Sequence, residues 1–130
     1  MEDMSASSET ILEGLDDAQM SAVTALDGPV RIIAGAGAGK TRTVTRRIAY
    51  ACARGDWDAR KVLAVTFSVK AAAEMRARLQ TLGVGDDVTA ATFHSAALQQ
   101  LRRVWDDIFE TPLPHLSLIH ISEPTRHAQI

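Results

Sequence analysis

Cysteine occurs once in the 130 residues, at Cys52, which rules out an internal disulfide and a cysteine-based metal cluster and points to a reducing compartment. Aromatic residues make up only 5% of the chain, so any ring stacking must be confined to a few positions. No apolar run approaches the ~20 residues of a membrane-spanning helix, and the opening stretch MEDMSASSET is acidic and polar, the reverse of a signal peptide. A soluble, cytoplasmic protein is expected. Lysine and arginine are missing altogether from residues 1–28, which hold seven acids. There is no internal repeat.

What the chain does contain is enough apolar material, 46% of its residues, for one ordinary globular core. The formal net charge of −2 conceals a basic middle: residues 40–78 carry ten Lys and Arg against three acids. Solvated helix faces account for about half of these bases on ordinary composition. Period and punctuation divide that middle into alternating strands and helices. PVRIIA (Pro29 to Ala34) is a short β-branched run, and GKTRTVTRRIAYACARG places Val44, Ile48 and Cys52 at helical spacing before Gly55. Cys52 therefore reads as a core thiol. KVLAVTF (Lys61 to Phe67) lacks polar alternation, as a strand covered on both faces would. Ser68 can cap the helix whose apolar face is Ala72, Met75, Leu79 and Leu82. VTAATF (Val88 to Phe93) predicts a third strand, and a third helix follows from about Ser95 to Phe109 with Ala97, Leu101, Val104, Trp105 and Ile108 on one stripe. An amphipathic helix around residues 16–26 precedes them. The expected fold class is α/β, a parallel sheet with crossover helices.

The stretch between the first strand and its helix is AGAGAGKT, Ala34 to Thr41. It fits the phosphate-binding loop [AG]-x-x-x-x-G-K-[ST], with Ala34 where the stricter form has glycine. Backbone N–H groups from Gly35 through Ala36, Gly37, Ala38 and Gly39 to Lys40 can converge on a phosphate at a helix N-terminus, where the helix dipole favours negative charge. The Lys40 ammonium would reach between the β- and γ-phosphates, and the Thr41 hydroxyl would hold Mg²⁺. A dinucleotide fold needs G-x-G-x-x-G, and counting from Gly35 its last glycine falls on Lys40, so that reading fails.

Three further segments, LDDAQMSAV (Leu15 to Val23), VTFSVKAAAEMRARL (Val65 to Leu79) and TFHSAALQQLRR (Thr92 to Arg103), stand in order around AGAGAGKTRT. Together they resemble the N-terminal part of UvrD/PcrA/Rep-type superfamily 1 DNA helicases over about residues 12–105. The resemblance implies a partial RecA-like P-loop NTPase domain that uses ATP and Mg²⁺ and contacts single-stranded DNA. By the same resemblance, Gln19 matches the glutamine that reads the adenine edge, a task suited to a carboxamide, and Arg42 matches an arginine near the bound nucleotide. Thr66 and Phe67 match the start of a segment touching single-stranded DNA, as do Thr92, Phe93 and His94. Stacking on a ring tolerates any base, which suits a motor that walks on any sequence. The bland alternatives are core positions for Phe67 and Met75 and a helix-capping role for His94.

Departures limit the implication. The family's Thr-Asn pair after the phenylalanine is Ser68-Val69 here, and the Asp-Glu pair that would hold Mg²⁺ and activate water occurs nowhere in the sequence. The expected domains are a disordered acidic terminus (1–11), a partial helicase ATP-binding domain (12–113) and a disordered tail (114–130). Within that tail LSLIHISEPTR (Leu116 to Arg126) interrupts the helicase pattern and looks like a translated adapter read-through. Pro114, His115, His120 and His127 are accordingly not expected to bind metal or act in catalysis. The parent activity implied is 3′-to-5′ DNA unwinding driven by ATP hydrolysis, with these residues inactive by themselves. The alternative is a stand-alone P-loop nucleotide-binding module or small kinase, which would need its own acidic residues.

Overall fold

The computed structural model describes residues 8–35 and 39–112. The chain divides into two compact units, Met1–Phe93 and His94–Ile130. Within the first lie a helical turn at residues 8–11 (α1), α2 (Asp17–Thr24), α3 (Lys40–Arg54), a 3-10 turn at Ala59–Lys61, β1 (Leu63–Thr66), α4 (Val69–Thr81) and β2 (Thr89–Thr92). Helix α5 (Phe93–Ile108) starts on the last residue of the first unit and runs through the second.

Local chemistry fixes the helix ends. Asp16 and Gln19 form a reciprocal capping box on α2: Gln19 N–H donates to Asp16 Oδ1 at 2.8 Å, and Asp16 N–H donates to Gln19 Oε1 at 3.1 Å. Ser68 caps α4 as predicted, its hydroxyl accepting from Ala71 N–H at 3.1 Å. At the end of α3, Gly55 N–H returns to the carbonyls of Ala51 and Cys52.

β1 and β2 pair in parallel in the register Leu63↔Thr89 to Thr66↔Thr92, with α4 as the crossover between them. The α/β class and the parallel sheet therefore hold for a single βαβ unit. The first predicted strand does not form: residues 29–35 carry no regular structure, and Ile33 is 82% exposed. A β-branched run gains its ladder only by pairing with a neighbour, and the sheet of the described residues consists of β1 and β2 alone. Residues 8–11 are helical and Ile11 is buried.

Helix α3 separates two apolar clusters. On its sheet side Ile48 packs with Ala64, Met75, Leu79, Val88 and Ala90. Its other face presents Ala49 and Tyr50 to Ile11 and Val23. Leu79 and Val23 are fully covered, one in each cluster. Met75 is thus a core residue, as expected. Each such side chain contributes about 1.5–3 kcal/mol through removal from water, so most stability of α2, an eight-residue helix too short to persist alone, comes from its packing on α3.

Helix α5 begins two residues before the predicted start and ends on a small aromatic clasp. The Trp105 and Phe109 rings lie 4.3 Å apart, and the Trp105 indole N–H donates to the Thr111 carbonyl at 2.6 Å. Residues 1–7, Ala36 to Ala38 and 113–130, with the expectations that fall on them, lie outside the described residues.

The loop from α4 to β2 admits no side chain at Gly85. A Cβ there would stand 2.5 Å from the backbone nitrogen and 2.6 Å from the Cα of Gln80. Gly85→Ala must push the loop off the end of α4 and is expected to destabilise the protein by about 1–3 kcal/mol, the cost typical of overpacking. Chemical denaturation measures it, and an unchanged midpoint would show that the loop does not lie against Gln80.

Candidate functional site

The glycine-rich stretch delivers the chain into α3 through Gly39, whose φ of +79° lies in the left-handed region that glycine alone adopts without strain. Lys40 is the first helical residue and is exposed. The N-terminus of α3 receives no side-chain cap. Among the described residues no side-chain oxygen caps its leading backbone N–H groups, the groups that helix N-termini offer to anions. Thr41 is half-buried in the first turn, and Thr43 closes that turn, donating both its N–H (2.9 Å) and its hydroxyl (3.0 Å) to the Gly39 carbonyl.

Gln19 comes to this point from the other side. A Cβ built on Gly39 would lie 3.1 Å from Gln19 Nε2, so the carboxamide sits against the last glycine of the loop. Twenty residues of sequence separation close into direct proximity. The amide oxygen already accepts from Asp16 N–H, which leaves its second lone pair and the Nε2 donors for another partner. Gln19 also lines a cavity of about 480 Å³ together with Asp16, Ala22, Ile32, Ala34 and Thr43, between α2 and residues 30–34. Ala34 and Gly35 border the loop there, with Gly35 exposed.

Arg42 does not point along the loop. Its Nη2 donates to the Gly14 carbonyl at 3.1 Å, at the approach to α2. It has company, since Arg46 donates to the carbonyls of Ile11 (2.6 Å) and Glu13 (3.1 Å), and Arg47 donates to that of Ala25 (3.0 Å). The Arg47 guanidinium also lies 4.8 Å from the Trp57 ring centroid. Arg76 is bonded to the Ala90 carbonyl on β2, and Arg54, Arg60 and Arg78 pair with Asp56, Asp58 and Glu74. Much of the basic middle is therefore spent on internal contacts, a use that charge counting alone cannot reveal.

The register Thr66↔Thr92 places Phe67 and Phe93 next to each other beyond the carboxyl ends of the two strands. Their rings are 5.1 Å apart and tilted by 46°, yet Phe67 is 95% and Phe93 52% exposed. Phe67 is not a core residue. Thr66 turns its hydroxyl to the Ser68 carbonyl (3.0 Å), and Thr92 ends β2. His94 is exposed on α5 in the second unit. The arginine bonds to backbone carbonyls are the functional feature missed from sequence, because their acceptors carry no side-chain signal. Among the described residues no group of three His, Cys, Asp or Glu side chains could hold a metal, and no helix is long and apolar enough to cross a membrane.

A parallel βαβ unit beside a helix that opens at Gly39 without a side-chain cap makes this an α/β protein. The relatives make this specific. The UvrD/REP helicase N-terminal domain family matches residues 15–126, and the chain belongs to it. The ATP-dependent DNA helicase UvrD2 of Mycobacterium tuberculosis (strain ATCC 25618 / H37Rv) is 51% identical over 113 residues, 81% of this chain and 16% of the relative. The ATP-dependent DNA helicase PcrA of Bacillus subtilis (strain 168) is 47% identical over 103 residues, 78% of this chain and 14% of the relative. PcrA of Staphylococcus aureus (strain NCTC 8325 / PS 47) is 46% identical over 101 residues, covering 75% and 14%. The chain thus spans about a sixth of the length of these relatives or less.

Cys52 belongs to the structural background of this site. It is half-buried beside the sheet-side cluster, and burial, with the carboxylates of Asp58 and Asp87, pushes its thiol above the ordinary range. Since the thiolate is the nucleophile, alkylation at pH 8 should be slower in the folded protein than after denaturation in urea. Equal rates in mass-resolved labelling with iodoacetamide would refute this burial.

Proposed function

We propose that this chain is the ATP-binding front part of the first, RecA-like motor domain of a UvrD-type 3′-to-5′ DNA helicase. The observation that carries the nucleotide assignment is the approach of the Gln19 carboxamide to Gly39, which brings a base-reading group to the start of an uncapped helix with Lys40 at its first position. The residues present fit Mg-ATP. Backbone amides from Gly35 to Lys40 would hold the phosphates, the Lys40 ammonium would neutralise their charge, and the Thr41 hydroxyl would supply one Mg²⁺ ligand. Gln19 pairs its amide with the adenine edge. When bound, Mg-ATP supplies the phosphoryl group whose hydrolysis drives unwinding in the parent enzyme.

The Asp-Glu pair to which the family resemblance assigns Mg²⁺ binding and water activation is not among these residues.

Single-stranded DNA meets the carboxyl edge of the sheet. Phe67 and Phe93 offer an exposed aromatic step flanked by Thr66 and Thr92; His94, in the second unit, is a further candidate through the family motif alone. Rings of this kind stack on any base, consistent with sequence-independent movement.

Replacement of Lys40 tests the phosphate assignment. Lys40→Ala is expected to weaken Mg-ATP binding by about 1.5–3 kcal/mol, the worth of hydrogen bonds to a charged group, whereas Lys61→Ala leaves it unchanged. Titration calorimetry on both variants decides, and equal affinities would sink the assignment.

For the DNA edge, Phe67→Ala should weaken binding of oligo-dT by about 1–3 kcal/mol, the value of one stacked base, while Met75→Leu has no comparable effect. Fluorescence anisotropy at fixed ionic strength reads the difference. Indistinguishable affinities for the two variants would remove the aromatic step from the DNA path.

A further inference from the structure

We infer that Arg46 and Arg47 are positioning residues for nucleobase selection: they set the placement of Gln19 against the phosphate loop without touching the nucleotide. The inference rests on the reading of Gln19 as the adenine-recognising group. Helix α2 is held at both ends from α3. Ahead of it, Arg46 Nη1 donates to the carbonyls of Ile11 and Glu13, and behind it Arg47 Nη2 donates to that of Ala25. Both donors stand on the helix that the phosphate loop opens, six and seven residues after Lys40. Gln19 and Gly39 are therefore both referred to α3.

The first of these anchors adds to the packing of Ile11 on α3. Beside Arg46 lies an open cavity of about 530 Å³ bounded by Thr10, Ile11, Glu13, Gly14, Thr81 and Leu82. On that side the guanidinium spans from α3 to the chain at the open edge of the cluster that buries Ile11. Both bonds leave one nitrogen, Nη1, whose two N–H groups reach carbonyls two residues apart from the end of a side chain one bond longer than that of lysine. At the other end Arg47 is locked between the Ala25 carbonyl and the Trp57 ring. Its Nε is buried without a partner among the described residues, so the side chain keeps this place at some cost in solvation. The margin at the site is narrow, because Gln19 Nε2 lies only 3.1 Å from where a Cβ on Gly39 would be. A small shift of α2 breaks that proximity while leaving the loop and Lys40 intact.

Competition binding of ATP, GTP and inorganic triphosphate to the full 130-residue chain tests this, alongside amide hydrogen exchange of α2 without nucleotide. The variants are Arg46→Met, Arg46→Lys, Arg47→Lys, Gln19→Ala and the double variant Gln19→Ala/Arg46→Met. The expected result for Arg46→Met is faster exchange in α2 and an ATP-over-GTP preference reduced to that of Gln19→Ala. Triphosphate affinity stays unchanged, and the double variant is no worse than Gln19→Ala alone. If Arg46→Met does not fold, Arg46→Lys and Arg47→Lys carry the test, with a partial loss expected in each. An ATP preference or α2 protection retained in the arginine variants would overturn the inference and leave the Gln19 reading standing. Absence of any ATP preference in the unsubstituted chain would overturn the Gln19 reading itself, and this inference with it. Parallel loss of triphosphate binding would show a general structural role instead and also refute the proposal.

Discussion

Guanidinium-to-carbonyl hydrogen bonds radiating from α3 are the constraint that, with apolar packing, places α2 and the segment before it. A charged donor bonded to a backbone carbonyl is worth roughly 1.5–3 kcal/mol when one side is ionised, and Arg42, Arg46 and Arg47 direct such bonds to Gly14, Ile11, Glu13 and Ala25. The segment so held is short, polar at its ends and unable to persist as helix in isolation. With Val23 and Ile11 buried against Ala49 and Tyr50, these bonds turn a weak local structure into one with a defined position. Helix α3 thereby serves three tasks: it opens at the glycine-rich loop, it covers the sheet through Ile48, and it carries the segment bearing Gln19.

The sheet shows the converse case, in which local preference lacks a partner. Pro29 to Ala34 has the β-branched composition of a strand, yet it runs without a ladder and leaves Ile33 exposed, while LAVT and TAAT pair because α4 returns the chain in parallel. β-Propensity expresses itself through cross-strand neighbours and burial more than through the backbone itself. An unpaired run therefore remains extended chain, and here it borders the cavity that Gln19 lines.

Charge in this chain serves structure first. Arg42, Arg46, Arg47 and Arg76 are committed to backbone carbonyls, and Arg54, Arg60 and Arg78 to neighbouring acids. Those ion pairs are exposed and each contributes little. The feature at the carboxyl edge that solvent sees most openly is aromatic, since burial of both faces of a phenylalanine is the usual outcome and Phe67 keeps 95% of its surface in water. In the proposed DNA path, stacking rather than net charge would then supply the distinctive contact.

Sequence alone determined the features governed by local chemistry. The capping serine before α4, the glycine that stops α3, the crossover between two parallel strands and the phosphate-loop pattern all follow from residue type and spacing within a few positions, and the order of the motifs determined the family. The tertiary structure decided what depends on distant partners. Gln19 met Gly39 only because α2 folds back onto α3, and Phe67 proved exposed because the strand register sets it beside Phe93 beyond the end of the ladder. Arg42 turned to the Gly14 carbonyl, an acceptor that every residue possesses and no pattern marks. Backbone carbonyls are identical along the chain, so which of them a side chain reaches is fixed by packing and cannot be read from the letters.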